Sequence, residues 1–300
     1  MADYRAAALA DEVLRRGYIP AASVTFSADV LVGIMSDELR GYIVELLRES
    51  GGEYLVVPHT IQVQDGVTEY RLPPRAVTNG VRRVSVQRDT AQFQLPQISP
   101  DALDGTSPWG YYLRGPRLVL WPAPTESVTL QVDYLLRPSQ LVTTGYGVVS
   151  GVTDDGTDAT ITVAWEGTPL TTGALDMVRA SSPFDVLSVG ATCVVAGTTV
   201  TVPLASVIEL PEAGDYICAA GESPVPSIPL ELHALLAQRT AWAALTSIGD
   251  AGARAAYERT EEMRAQMLAL LAPRDEGARH YVRSQLAYGP GGRGFRGRYR

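Results

Sequence analysis

Three histidines, two cysteines and a few adjacent carboxylates are the side chains with which this sequence could do chemistry. His59, His233 and His280 stand far apart, and none falls in a metal-ligand spacing. No H-E-x-x-H or G-x-S-x-G string occurs, and a chain without lysine cannot supply a Walker lysine. Gly292, Gly294 and Gly297 match G-x-G-x-x-G, but a dinucleotide site needs a strand before the glycines and a helix after them. Here the sequence stops three residues later, at Arg300. Asp154-Asp155-Gly156-Thr157-Asp158 has the look of a calcium loop, yet it lacks the alternating oxygen ligands and the closing Glu. It reads as a hairpin turn. Asp37-Glu38 and Glu261-Glu262 are neighbours on expected helices and so point in different directions; they read as solvated faces or contacts to a neighbouring subunit. Cys193 and Cys218 lie in apolar, strand-like runs and read as buried thiols, which suits folding in a reducing cytoplasm. The expectation is therefore a protein that is not an enzyme, with no catalytic residues, no metal and no cofactor.

The one dense group of interaction-capable side chains is C-terminal. Tyr281, Arg283, Tyr288, Arg293, Phe295, Arg296, Arg298, Tyr299 and Arg300 lie in a segment, 274–300, with no sustained apolar periodicity. It holds seven Arg against Asp275 and Glu276, a local charge of +5, whereas the whole chain carries −8 and the body is therefore near −13. All 25 basic residues are Arg, which reads as the base composition of a GC-rich genome rather than as selection for bidentate contacts. A tail of this kind is not expected to fold alone. It could bind nucleic acid, with Arg on phosphate and aromatics on bases; it could order against an acidic protein groove; or it could simply solubilise. The groove is preferred, because a nucleic-acid binder more often has a basic folded face as well.

Around these residues the chain reads as an α+β protein. Residues 3–17 have helical apolar spacing and end at Gly17; a second helix starts at Ser27, a natural cap, and runs to Gly51-Gly52. From Glu53 the texture becomes short β-branched and aromatic runs divided by turn residues, an antiparallel β pattern. A second β segment spans 142–221. Pro224, Pro226 and Pro229 stiffen the way into a helix over 230–248, which Ser227 can cap, and Asp250 can cap another that ends at Pro273. The expected organisation is thus an N-terminal helix pair (1–52), an antiparallel β domain (53–141), a second, inserted β module (142–221), a C-terminal helix pair (222–273) and an extended arm (274–300). The two helix pairs are expected to form one four-helix bundle carrying the β regions as insertions. No signal-peptide pattern opens the chain, and the longest uncharged stretch, Val186 to Ile208, is broken by Gly190, Gly197 and Pro203. A soluble protein with no membrane partner is expected.

Several strings, in order, resemble tailed-phage neck proteins. Gly17-Tyr-Ile-Pro20, Thr25-Phe-Ser-Ala-Asp-Val-Leu31 and Asp37-Glu-Leu39 open the series, followed by Tyr70-Arg-Leu-Pro-Pro-Arg-Ala76 and Val81-Arg-Arg-Val84. Tyr111-Tyr-Leu-Arg-Gly-Pro-Arg-Leu-Val-Leu-Trp-Pro-Ala-Pro124, Asp133-Tyr134 and Arg137-Pro138 come next. Gly214-Asp-Tyr-Ile-Cys-Ala-Ala-Gly221, Ile228-Pro-Leu-Glu231 and Gly249-Asp250 close it. The chain resembles the tailed-bacteriophage head-to-tail adaptor (neck or connector) family over nearly its whole length. The resemblance implies a virion structural protein, made in the host cytoplasm and placed in the particle's neck. Many copies, commonly twelve, would form a homo-oligomeric ring beneath the portal protein and above a tail tube or tail-completion protein. Genomic DNA would pass through its lumen, and the arm, with the nine residues named above, would grip the portal or a neighbouring subunit. The competing readings are a nucleic-acid-binding protein acting through its tail, another tail or baseplate component, and a β-rich enzyme for which no carboxylate spacing speaks.

Overall fold

Ala6, Leu9, Ala10 and Val13 recur at helical spacing and form the buried face of the first helix, α1 (Ala6–Arg16). Gly17 ends it, its N–H donating to the Val13 carbonyl at 2.9 Å. The computed structural model describes residues 3–271 apart from 21, 22, 24, 50–53, 89, 90 and 103–108. The second helix begins where a cap was expected: the Ser27 hydroxyl accepts the Val30 N–H at 3.4 Å. α2 (Ala28–Glu38) continues through a π-helical turn, Leu39–Ile43, into α3 (Val44–Glu49). The wider turn leaves Leu39, Ile43, Leu46 and Leu47 in the same core as Leu31 and Met35. Near the other end, α4 (Leu230–Ser247) starts directly after Pro229 and adds Leu232, Leu235, Leu236 and Ala241 to that core. Asp250 caps the approach to α5 (Ala253–Leu271), its Oδ1 accepting the Gly252 N–H at 2.7 Å. Ser227 does not cap α4; its hydroxyl is buried and has no hydrogen-bond partner among the described residues.

Strands make up the rest. β1 (Val56–Val63), β3 (Ala76–Arg88), β4 (Ala91–Gln94) and β7 (Val128–Leu136) form an antiparallel sheet in the order β1-β7-β3-β4. A three-stranded sheet, β2 (Glu69–Arg71), β6 (Arg117–Trp121) and β5 (Gly110–Arg114), shares its core through Ile61, Val84, Val86, Leu118, Leu120 and Leu130. Six further strands close into a barrel in the order β10-β13-β12-β11-β14-β9. They are β9 (Tyr146–Asp154), β10 (Asp158–Glu166), β11 (Gly173–Val178), β12 (Val186–Ala196), β13 (Thr199–Pro203) and β14 (Tyr216–Ala219). Alternation along these strands sends Ile161, Val163, Leu175, Met177, Val200 and Val202 inward. Gly147 on β9 is required at a close approach, because a Cβ there would meet Val163 and the Trp165 ring. The chain enters the barrel through β8 (Gln140–Leu141) and leaves through β15 (Glu222–Ser223), which pair in parallel. The Leu141 N–H also donates to Ser36 Oγ of α2 at 3.0 Å, tying this entrance to the helices.

The expected architecture, a helical bundle bearing inserted β domains, is overturned. Fifteen strands, including a closed barrel, dominate the described residues, and the helices make only four rods because α2, the π turn and α3 are continuous. The physical reason lies in the cores. Two of them, in the barrel and between the sheets, are built by strands alone. The helices share one further core, to which α5 adds Met263, Met267, Leu268 and Leu271 only partly buried, so helix packing organises one core among several rather than the whole fold.

One polar contact joins sheet to barrel. Asp176, on β11, is completely buried. Its carboxylate accepts the Gly190 N–H at 2.7 Å and the Gly221 N–H at 3.0 Å, and it pairs with the Arg75 guanidinium from the loop before β3. Arg75 in turn donates to the Arg137 carbonyl at 3.1 Å and to Ser139 Oγ at 2.9 Å. Removing one partner of a buried pair strands the other charge. Arg75→Met should therefore lower the unfolding free energy by about 3–5 kcal/mol. Adding Asp176→Leu should restore only part of it, because the two glycine amides then lose their acceptor. Urea titrations of the three proteins followed by Trp fluorescence check both; a wild-type midpoint for Arg75→Met would contradict the role.

Candidate assembly interface

The nine residues of the expected arm, Tyr281 to Arg300, lie outside the described residues. Of the histidines, His59 is exposed on β1 with its ring 6.4 Å from that of Tyr134, His233 is buried in α4, and His280 lies outside the described residues. Both cysteines are buried, as read from the sequence, and neither is in a disulfide. Burial pushes the Cys193 thiol up to about 11 and the Cys218 thiol well above its ordinary value. The Asp154–Asp158 segment is the expected hairpin turn: Asp155 Oδ1 accepts the Thr157 and Asp158 N–H groups at 2.9 and 2.8 Å. Among the described residues no group of three or more His, Cys, Asp or Glu could hold a metal ion.

The carboxylate neighbours do diverge. Asp37 is exposed while Glu38 pairs with Arg239 at 2.7 Å. The Arg239 guanidinium lies 4.5 Å from the Tyr42 ring centroid and 4.0 Å from that of Trp242, a cation held between two aromatic faces. Tyr42 comes from the π turn and also faces Arg264, which pairs with Glu49 at 2.8 Å. These contacts fasten α5 and α4 to the continuous second helix. Beyond them Tyr257, Ile248 and Leu270 stay substantially exposed.

A second arrangement lies where sheet, barrel and α4 meet. Phe184, in the loop before β12 and in the left-handed region (φ 62°), stacks on His233 with centroids 4.9 Å apart. Tyr4 packs edge-on against both, at 5.7 and 5.6 Å. Burial pushes His233 down to about 4, with the backbone at Ile228 and Pro226 opposing weakly; neither ring nitrogen makes a well-formed hydrogen bond. On its other side Phe184 lines a cleft of about 290 Å³ whose walls include Leu55, Val57, Leu136, Ile208 and Ile228. Leu55 is also left-handed (φ 61°). Ser227 is among the lining residues, its hydroxyl buried and without a partner among the described residues. Asp185 and Glu209 stand at the cleft, and burial raises the Asp185 carboxyl above its ordinary value. Glu209 is taken by Arg179 at 2.6 Å. Apolar walls and an acidic rim suit a peptide segment.

The model of one protein family, the SU10 adaptor proteins, matches residues 4–166, more than half of the chain. The chain belongs to this family. It is a family of phage head-to-tail adaptors, structural proteins of the virion. No curated protein matches the chain. The adaptor match runs from α1 to the end of β10 and so takes in both open sheets, the Arg75 loop and the first barrel hairpin. No helix of the described residues is long and apolar enough to cross a membrane.

Sequence reasoning missed the Arg75–Asp176 pair and the cleft. A signal for the first existed: Asp176 is a lone charge between Leu175 and Met177 in an apolar strand. The cleft is assembled from five separate stretches of chain and leaves no local pattern.

The His233 environment makes a pH prediction. The folded imidazole titrates near 4 and the free one near 6.5. Between those values the unfolded chain binds a proton that the folded chain refuses. The stability due to neutral His233 is complete above pH 6.5 and is lost as pH falls towards 4, by about 3 kcal/mol. His233→Phe should keep the stack and flatten this part of the profile. Urea midpoints at pH 7.0 and 4.5 measure it, and an unchanged slope in the variant would remove His233 as the cause.

Proposed function

We propose that the adaptor assembles as a homo-oligomeric ring of twelve copies beneath the portal protein. The ring joins capsid to the tail tube or tail-completion protein and lets genomic DNA pass. Its place is the neck of the particle. The family match over residues 4–166 carries this reading. The charge asymmetry supports it: an arm of +5 at 274–300 on a body near −13 gives the arm its own acidic target. Tyr281, Arg283, Tyr288, Arg293, Phe295, Arg296, Arg298, Tyr299 and Arg300 supply the arm's aromatic anchors and its cations.

An arm that docks only on a completed portal makes the joint conditional on that portal, because the entropy of fixing it there is lost at that step. Native mass spectrometry of the protein with portal rings should show it joining in a fixed multiple near twelve; a protein that ignores the portal refutes the assignment. Deleting 275–300 should abolish portal binding and leave the body folded. Undiminished binding of the truncated protein would remove the arm from the interface.

The acidic body also bears on DNA passage. A lumen of the same sign as phosphate releases no counterions from DNA and holds it weakly. Lumen-facing side chains of the assembled ring should be acidic or neutral. A cryo-EM map of the ring reads this directly, and a continuous Arg-lined channel would contradict it.

A further inference from the structure

The cleft beside Phe184 is built for a segment rather than for a globular partner. At about 290 Å³ it has room for one or two side chains, at the low end of cavities that hold ligands. Its interior is Leu55, Val57, Leu136, Phe184, Ile208 and Ile228, the environment an aromatic side chain seeks. The Ser227 hydroxyl, on a residue only 9% exposed, has no partner among the described residues. Two left-handed residues, Leu55 and Phe184, shape the lining, the kind of backbone strain that gathers at binding sites.

The rim selects the sign of the occupant. Asp185 and Glu209 border the cleft, and the nearby cation, Arg179, is already engaged by Glu209. Burial disfavours the charged form of the Asp185 carboxyl, with Arg179 offsetting only part of that effect. An incoming guanidinium would offset more of it. Nucleic acid would be repelled here.

One stretch of this chain combines aromatic anchors with excess Arg. Residues 274–300 carry seven Arg, His280, Tyr281, Tyr288, Phe295 and Tyr299. They follow Leu271, which packs on the same core cluster as Tyr54, Leu55 and Ile228, three of the cleft's lining residues. Each extended residue adds about 3.3 Å, so reach does not limit a segment of this length. Tethering gives it an effective concentration on the order of millimolar, far above that of a second chain in dilute solution.

We propose that the cleft is the seat of the chain's own residues 274–300, an aromatic side chain filling the apolar interior and an Arg bridging Asp185 and Glu209. The seat does not depend on what the arm later grips. Where the arm is also the portal-binding element, seating and portal binding exclude one another. The free adaptor then withholds its arm until a portal competes for it, which restrains copies from engaging one another prematurely.

The test uses the full-length protein with Ile208→Cys, a 47% exposed position in the cleft wall. Both native thiols are buried, so a maleimide–benzophenone probe attaches selectively at the introduced thiol. Illumination at low micromolar protein should cross-link position 208 to a peptide from 274–300 within the same chain. Asp185→Asn with Glu209→Gln, two surface changes that leave the core intact, should cut that yield about fivefold, as expected for losing two partly exposed ion pairs. Absence of any 274–300 cross-link overturns the proposal. So does a cross-link found only between chains, or a yield indifferent to the charge change. Loss of portal binding on deleting the arm tests the functional reading separately, and either result can fail without the other.

Discussion

A carboxylate with no access to water must have every acceptor position answered from within the protein, and Asp176 meets that demand from three directions. Gly190 belongs to the next barrel strand, Gly221 to the exit from the barrel, and Arg75 to the loop that leads into the open sheet. The guanidinium is positioned in turn by the Arg137 carbonyl and Ser139, just before the chain enters the barrel. Sheet, entrance and exit are thus fixed relative to one buried charge. Tyr134 lies within its field: burial pushes the hydroxyl up to about 12, Arg75 opposing and Asp176 adding to the shift. Neutral packing could join the same surfaces, but it would tolerate sliding. A satisfied buried ion pair admits one geometry, and here that specificity is its contribution beyond net stability.

The other junctions use different forces to the same end. The Tyr4–Phe184–His233 stack ties the N-terminal segment, a barrel loop and α4 through ring contacts. The Ala6 N–H donates to the Pro224 carbonyl, holding the start of α1 beside the exit from the barrel. Arg239, between Tyr42 and Trp242, holds α4 to the continuous second helix and keeps its charge partly solvated. The cleft lies at the remaining junction. It forms where three bodies meet without filling the space between them.

Much of the local structure was legible because its causes are local. The Ser27 cap, the stop at Gly17, the Asp250 cap and the hairpin at Asp155 each follow from a side chain and its neighbours a few residues away. The buried thiols followed from the apolar runs around them. What failed was assembly at long range. Two helix pairs at opposite ends of a chain invite a bundle, but periodicity reports only that a face is apolar, not what covers it. α5 shows the difference, burying only Ala256 and Thr260 fully while Met263, Met267, Leu268 and Leu271 pack partly exposed. Barrel closure was likewise invisible, since it rests on β9 meeting β14, a pairing between residues near 148 and 216. Ser227 was legible as a helix cap and turned out to face the cleft, because Pro229 sets the helix start two residues later. The arm carries its chemistry in composition alone, so its candidate partners could be weighed by charge but not by geometry.

Closure of the barrel has a consequence for crowding. An open sheet offers unpaired amides and carbonyls along its outer strands, and identical chains at high local concentration can trade such strands. The barrel has no outer strand to offer. In the four-stranded open sheet, one outer strand, β1, contains Pro58, which lacks an amide, and the other, β4, is only four residues long; in the three-stranded sheet the outer strands, β2 and β5, have three and five residues. Such a chain can be stacked side by side in many copies while each keeps its own hydrogen bonds to itself, and recognition between neighbours is left to side chains.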